Sequence, residues 1–279
     1  MNGEWGMLQM GKPIAIIILY NVKLEDSSSV QGAIARKDTV DVLLVDNSTI
    51  AGLLMQNRTS AELLGLSILS GHGNIGLSRA YNLALDHVRA HDPECDWIIT
   101  LDQDTTLDDA YFDAVRHVAG DFRGALVYYP TVSAGGRLLS PTHIWRGFLG
   151  NARGTEKERP IVCINSGLLI HVSLFESFRY DEALFLDMVD YDLFRTLADR
   201  GRCAGISALG CTIRQDFSGT GFSGYQKDMN RFKIFARDFH SFCRKWRVPL
   251  FLLRFMLMKR AIRLAIHYRS VSFLLMPLK

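Results

Sequence analysis

The chain has 279 residues, 48% of them hydrophobic and 22% charged, with a formal net charge of +3 at pH 7. That length and apolar content allow one large core, or one core with an appendage, and no internal repeat or low-complexity segment stands out. Five cysteines (Cys95, Cys163, Cys203, Cys211, Cys243) show neither Cys-x-x-Cys spacing nor a disulfide framework, which points to reduced thiols in a cytosolic protein. No signal peptide is expected, and no apolar run reaches the roughly 18 residues that span a bilayer. Charge is unevenly placed. Residues 225–279 hold 13 Lys/Arg against two Asp/Glu, a local +11 that leaves residues 1–224 at −8. An acidic body with a basic tail predicts that the tail meets something anionic, lipid headgroups or nucleic acid.

Ile14–Tyr20 is a continuous apolar run, as in a strand buried on both faces. Residues 27–38 are helix-compatible. Val40–Val45 reads as a second strand closed by Asp46-Asn47-Ser48, Leu66–Leu69 as a short third, Leu77–Ala90 as a helix and Trp97–Leu101 as a fourth strand. Leu126–Tyr129 and Ile161–Ile164 read as later strands, Gly135–Pro160 as loop-rich and Asp187–Arg200 as a helix. Strands alternating with helices predict an open α/β sheet that is mostly parallel.

Three strand ends deliver polar groups in order: Tyr20-Asn21, Asp46-Asn47-Ser48 and Asp102-Gln103-Asp104. Carboxyl ends of parallel strands line one crevice, so these groups should converge. Asp-x-Asp offers hard oxygen ligands to Mg²⁺ or Mn²⁺ and leaves positions for a substrate's phosphate oxygens. Asp46 could accept hydrogen bonds from a nucleoside base or ribose. The same residues are also ordinary turn formers, and recurrence at three strand ends is what favours a site. Gly71-His72-Gly73-Asn74-Ile75-Gly76 formally matches GxGxxG, a rival reading as a dinucleotide turn. Against it, two strands precede the turn, and Asp102 arrives with a second carboxylate that a ribose contact does not need. Asp187, Asp190 and Asp192 open a helix, where acids favour the macrodipole. Asp187 and Asp190 also share a face, and a carboxylate at the rim of a partly apolar crevice is what a general base requires.

In order, Tyr20-Asn21, "LLVDNST", "GNIGLSRAYN", "WIITLDQDTTL", "NSGLLI" and "FLDMVDYDLFRTLADRG" resemble family 2 glycosyltransferases of the GT-A fold over roughly residues 13–218. The finer likeness is to bacterial rhamnosyltransferases. The resemblance implies a GT-A catalytic domain over 1–224 and a helical basic extension over 225–279. It implies that Tyr20, Asn21, Asp46 and Asn47 hold the nucleotide, and that Asn74 and Gly76 position the loop by the nucleotide-sugar, with Asn82 on the next helix. Asp102 and Gln103 would contact the nucleotide-sugar, Asp102 at ribose or sugar, and Asp102 would share the metal with Asp104. Asn165, Ser166 and Gly167 would shape the wall between donor and acceptor, with Asp190 the catalytic carboxylate and Asp187 its close second. Many relatives carry a histidine after the late strand where this chain has Gln215, which puts that ligand in doubt.

The implied activity is inverting, Mg²⁺- or Mn²⁺-dependent transfer from a nucleotide-sugar, with dTDP-rhamnose the leaning. The implied acceptor is a hydroxyl of a growing, lipid-linked cell-surface polysaccharide such as O-antigen. In the tail, Phe232, Phe235, Phe239 and Phe242 fall on one helical face, which suits core packing. Leu250–Met276 mixes Leu, Phe and Met with arginines, which suits a helix lying in a membrane interface. The chain is therefore expected in the cytoplasm, peripheral at the inner face of the membrane, with tail-mediated homodimerisation an alternative and nucleic acid not expected. The rival functions are an NAD(P) oxidoreductase on Gly71–Gly76 and a non-catalytic GT-A-like binding protein.

Overall fold

The computed structural model describes residues 11–121, 124–143, 161–201, 205–215 and 222–275. All six residues of Ile14–Leu19 (β1) are buried. Ile14, Ile16 and Ile18 join one apolar cluster and Ala15, Ile17 and Leu19 another, as alternation demands of a strand covered on both faces. Ser27 caps Ser28–Ile34 (α1), its hydroxyl accepting from Val30 N at 3.3 Å. Asp41–Asp46 (β2) leads into Ala51–Leu64 (α2), which ends on a left-handed Gly65. Ser67–Leu69 (β3), Leu77–His91 (α3), Trp97–Asp102 (β4), Thr105–Thr106 (β5) and Asp109–Gly120 (α4) follow. Next come Val127–Ala134 (β6), Arg137–Ser140 (β7), Thr142–His143 (β8), Ile161–Val162 (β9), Leu168–His171 (β10), Val189–Asp199 (α5) and Ile206–Gln215 (β11). Tyr225–Lys245 (α6), Leu250–Tyr268 (α7) and Ser272–Leu275 (α8) come last.

Among the described residues the main sheet has nine strands, in the order β3-β2-β1-β4-β10-β6-β11-β5 with β7 on β6. The first four are parallel; β10 runs antiparallel to β4 and β6, and β11 parallel to β6. Leu19 pairs with Asp46 and Ile18 with Asp102, so the carboxyl ends of β1, β2 and β4 lie level at one edge. One face is covered by α3, α5, α6 and α7, the other by α1, α2 and α4.

Two expected features shift. The Ile161–Ile164 run pairs only over Ile161–Val162, with β8 in a separate ribbon, and Leu168–His171 enters the sheet instead. The later helix starts at Val189 rather than Asp187, because Met188 takes a left-handed φ of 65° at the N-cap. Of the loop-rich stretch Gly135–Pro160, residues 144–160 lie outside the described residues. All four tail phenylalanines are buried in the apolar cluster that contains Ile16 and Ile98.

Candidate active site

The strand ends are tied together before any ligand arrives. Tyr20 N donates to Gln103 Oε1 at 2.7 Å, lashing β1 to β4, and Asn21 N donates to Ser48 Oγ at 2.8 Å, lashing β1 to β2. Asn21 sits at a φ of 51°, and its Oδ1 accepts from Thr49 N at 2.9 Å. The Tyr20 ring remains 46% exposed, so it is available to stack on a planar group. Asp46 is different. It is 1% exposed, with Oδ1 taken by Ser48 N at 2.9 Å and Oδ2 by Asn57 Nδ2 at 2.8 Å. Its carboxylate organises the turn rather than facing outward. Asn57 is a partner the sequence reading missed; it also binds Leu24 N and Val22 O, from a helix that was not anticipated.

The Asp102–Asp104 turn is carried on a scaffold of small hydroxyls. Ser166, fully buried, accepts from Asp102 N at 2.9 Å and lies 2.6 Å from Thr105 Oγ1. Thr100 Oγ1 donates to Asn165 O at 2.5 Å. Ser27 Oγ donates to Gln103 O at 2.7 Å, and Ser29 Oγ donates to the carbonyls of Asp102 and Thr105. Gly167, at a φ of 88°, has no room for a Cβ, which would meet Ile213 Cδ1 at 2.7 Å and Pro130 Cγ at 2.9 Å. Asn165, Ser166 and Gly167 thus sit beneath the turn and hold its shape. Asp102 is half-buried and Asp104 exposed, with no described residue bonded to the Asp104 carboxylate. The end of β11 closes against this turn, Gln215 pairing with Thr105; the Gln215 side chain lies outside the described residues.

The Gly71–Gly76 turn follows β3, which is the edge strand of the sheet. Asn74 Oδ1 accepts from Gly76 N at 3.2 Å, and Asn47 Nδ2 donates to Gly76 O at 3.3 Å. Gly76 has a φ of 85°, and a Cβ there would fall 2.5 Å from the Phe185 ring. The turn is therefore pressed against the segment that carries the helical acids. Asn82 reinforces the same junction, exchanging hydrogen bonds with Tyr180 O at 3.0 Å and Tyr180 N at 3.1 Å.

Two of the three acids, Asp187 just before α5 and Asp192 within it, are occupied by side chains of α6 and its C-cap. Arg231 of α6 makes a two-pronged ion pair with Asp187. Asp192, 1% exposed, accepts from Lys245 Nζ and Trp246 Nε1, each at 2.8 Å. Asp238, fully buried on α6, accepts from Leu186 N at 2.7 Å and Asp187 N at 2.9 Å. None of these clasps was foreseen; only the cation count of the tail hinted at them.

Asp190 is left without such a cation. Its described hydrogen-bond partners are backbone amides, Tyr191 N donating to Oδ1 at 2.8 Å. Burial pushes its carboxyl up to about 6, and the Asp187 charge adds to the rise. Burial also raises the buried Tyr81 hydroxyl, and the charges of both Asp102 and Asp190 add to it. Tyr81 therefore lies within electrostatic reach of the strand-end turn and of the helical acid. A carboxylate half-ionised near pH 6, neither caged nor cation-paired, suits proton abstraction.

Among the described residues no three His, Cys, Asp or Glu side chains gather into a metal cage. Asp102 and Asp104 instead offer two hard oxygen donors side by side. That set fits Mg²⁺ or Mn²⁺ completed by water and phosphate oxygens, and does not fit a soft or tetrahedral ion.

No protein-family model and no curated protein matches the chain. Solved structures do. A mannosyltransferase from Pyrobaculum calidifontis in complex with GDP-Man and Mn²⁺ is 16% identical at a TM-score of 0.51, the alignment covering 85% of this chain and 66% of that one. TarS from S. aureus is 14% identical at 0.51, covering 90% and 43%. Glucosyl-3-phosphoglycerate synthase from Mycobacterium tuberculosis, in complex with Mn²⁺, UDP-glucose and glycerol 3-phosphate, is 16% identical at 0.53, covering 89% and 87%. The chain thus spans less than two thirds of the first two. The fold it shares with all three is the GT-A fold, a curled sheet flanked by helices.

Proposed function

We propose that this chain is a metal-dependent, inverting glycosyltransferase that uses a nucleoside diphosphate sugar. The observation that carries the reading is Asp190. On a GT-A fold, it is the one acid of the 187–192 cluster that no described cation pairs, and its pKa stands at about 6. Tyr20 would stack on the base, with Asn21 beside it, while Asp46 and Asn47 keep the floor of the nucleotide site rigid. Asp102 and Asp104 would hold the cation, and Asp102 would also reach ribose or sugar. When bound, Mg²⁺ or Mn²⁺ supplies positive charge that favours departure of the nucleoside diphosphate. Asp190 accepts the proton of the acceptor hydroxyl as that oxygen bonds to the anomeric carbon and the sugar–phosphate bond breaks. Asp187, held by Arg231, positions the segment and keeps negative charge near Asp190. Inversion needs only this one base.

The donor we favour is dTDP-rhamnose, on the motif resemblance, and the acceptor a hydroxyl of a lipid-linked cell-surface glycan. The test is thermal-shift binding with dTDP-, UDP-, GDP- and NAD-type ligands, with Mg²⁺ or EDTA, on wild type and Asp104→Ala. We expect one nucleoside diphosphate to stabilise the wild type only with metal, and the effect to vanish in Asp104→Ala. Stabilisation by NAD regardless of metal would instead return the Gly71–Gly76 turn to a dinucleotide role. Binding of a nucleotide-sugar with neither transfer nor hydrolysis would leave a binding protein.

A further inference from the structure

Helix α7 has two apolar faces, and only one of them is used by the fold. Leu253, Leu257, Ala261 and Leu264 are buried in the core cluster. Arg260 is turned inward as well, its guanidinium 4.2 Å from the centre of the Phe235 ring. The helix is therefore fixed in rotation. On the opposite side Phe251, Phe255, Ile262 and Ile266 are 69%, 61%, 45% and 73% exposed. At 100° per residue these four fall within roughly 60° of arc, a continuous stripe. Exposed Arg254 borders it on one side and exposed Lys259 on the other. The helix contains no Asp or Glu.

We propose that this outer face of α7 docks the protein onto an anionic membrane surface, the phenylalanines entering the headgroup boundary and the basic border contacting lipid phosphates. A large exposed apolar stripe edged by basic side chains is the pattern of an interfacial helix that lies in the plane of the membrane. The helix is not built to cross: no described helix is long and apolar enough to do so. Charge argues against a second copy of the chain as the occupant. Two such faces packed together would bring one basic border against another with no acid on either helix to offset it. A nucleic acid would use the basic border and leave the aliphatic stripe in water. The surface stands whether or not the site transfers sugar.

The test is flotation of the full chain with phosphatidylglycerol–phosphatidylcholine vesicles and with phosphatidylcholine alone, at low and high salt. Wild type should float with the anionic vesicles and much less with the neutral ones, and salt should weaken it. Phe251→Ser with Phe255→Ser should lower the partition coefficient about tenfold or more. Their thermal melts should match wild type, since both side chains are exposed. Arg254→Gln with Lys259→Gln should reduce binding several-fold on anionic vesicles only. Failure of wild type to float, or unchanged flotation of the phenylalanine pair, overturns the proposal. A dimer in light scattering that this pair converts to monomer, without vesicle binding, gives the face to a second copy. Salt-sensitive retention on nucleic acid without flotation overturns it too.

Discussion

The two sides of the site hold their polar groups by different means. At the strand ends, backbone amides and small side chains hold one another: Gln103 to Tyr20 N, Ser166 to Asp102 N, Ser48 to Asn21 N. In the acidic segment, carboxylates are held by Arg231 and Lys245 of α6 and by the Trp246 indole at its end, 44 to 54 residues further along the chain. The first arrangement is redundant and nearly neutral, so each single bond contributes modestly. The second concentrates opposed charges in buried places, where removing one partner leaves a bare ion. It also singles out a residue: of the three acids, Asp190 is the one that no described cation pairs.

The sharpest way to break that contrast is kinetic. Asp190→Asn should lower turnover by about 10²-fold or more while nucleotide binding, read by calorimetry, stays near wild type. Asp187→Asn should cost about tenfold, through lost positioning. A larger loss from Asp187→Asn would mean that the ion-paired acid is the base. Next in size, Lys245→Met strips the buried Asp192 of its cation and should lower unfolding free energy by about 3 kcal/mol in urea titration. Ser166→Ala, its counterpart on the strand side, should cost only about 1 kcal/mol.

Acidity gives a further test. Asp190 ionises near 6 in the folded chain against 3.8 for an ordinary carboxyl. Below about pH 3 both states are protonated, and the residue makes no difference. As pH rises from 4 to 6 the unfolded chain ionises first, so folded stability falls, and the deficit persists above 6. Asp190→Asn should therefore gain stability relative to wild type across that window, by about 3 kcal/mol at pH 8, and show almost no gain at pH 3. With Asp190 as the base of the proposed transfer, kcat/KM should rise with pH through a midpoint near 6. Smallest of all, Asp104→Ala should leave the melting of the ligand-free chain within about 0.5 kcal/mol of wild type, because no described residue bonds its carboxylate.

The first four strands were legible because each is a short apolar run closed by polar turn residues, as Ile14–Tyr20 and Trp97–Asp104 illustrate. Helix α2 was not, since it leaves Met55 and Leu63 exposed and buries a polar residue, Asn57, so its periodicity is blurred. The strand-end residues could be found because level carboxyl ends bring them together whatever the rest of the chain does. Their division of labour could not. That Asp46 and Ser166 face inward while Tyr20 and Asp104 face outward depends on hydrogen bonds to Asn57 and Thr105 that no spacing encodes. In the sequence the tail shows a charge imbalance and a phenylalanine stripe, but not that two of its cations have individual partners: Arg231 with Asp187, Lys245 with Asp192.

Gly76 constrains any exchange of the 71–76 turn. Leu77 N donates to Phe185 O at 2.5 Å, and the space beside Gly76 is filled by the Phe185 ring. The 71–76 turn is thereby keyed to the segment that ends in Asp190. Transplanting that turn from another chain of this fold without residue 185 and its neighbours would leave either a clash or a gap. The exchangeable module is the pair of segments, distant in sequence and packed as one part.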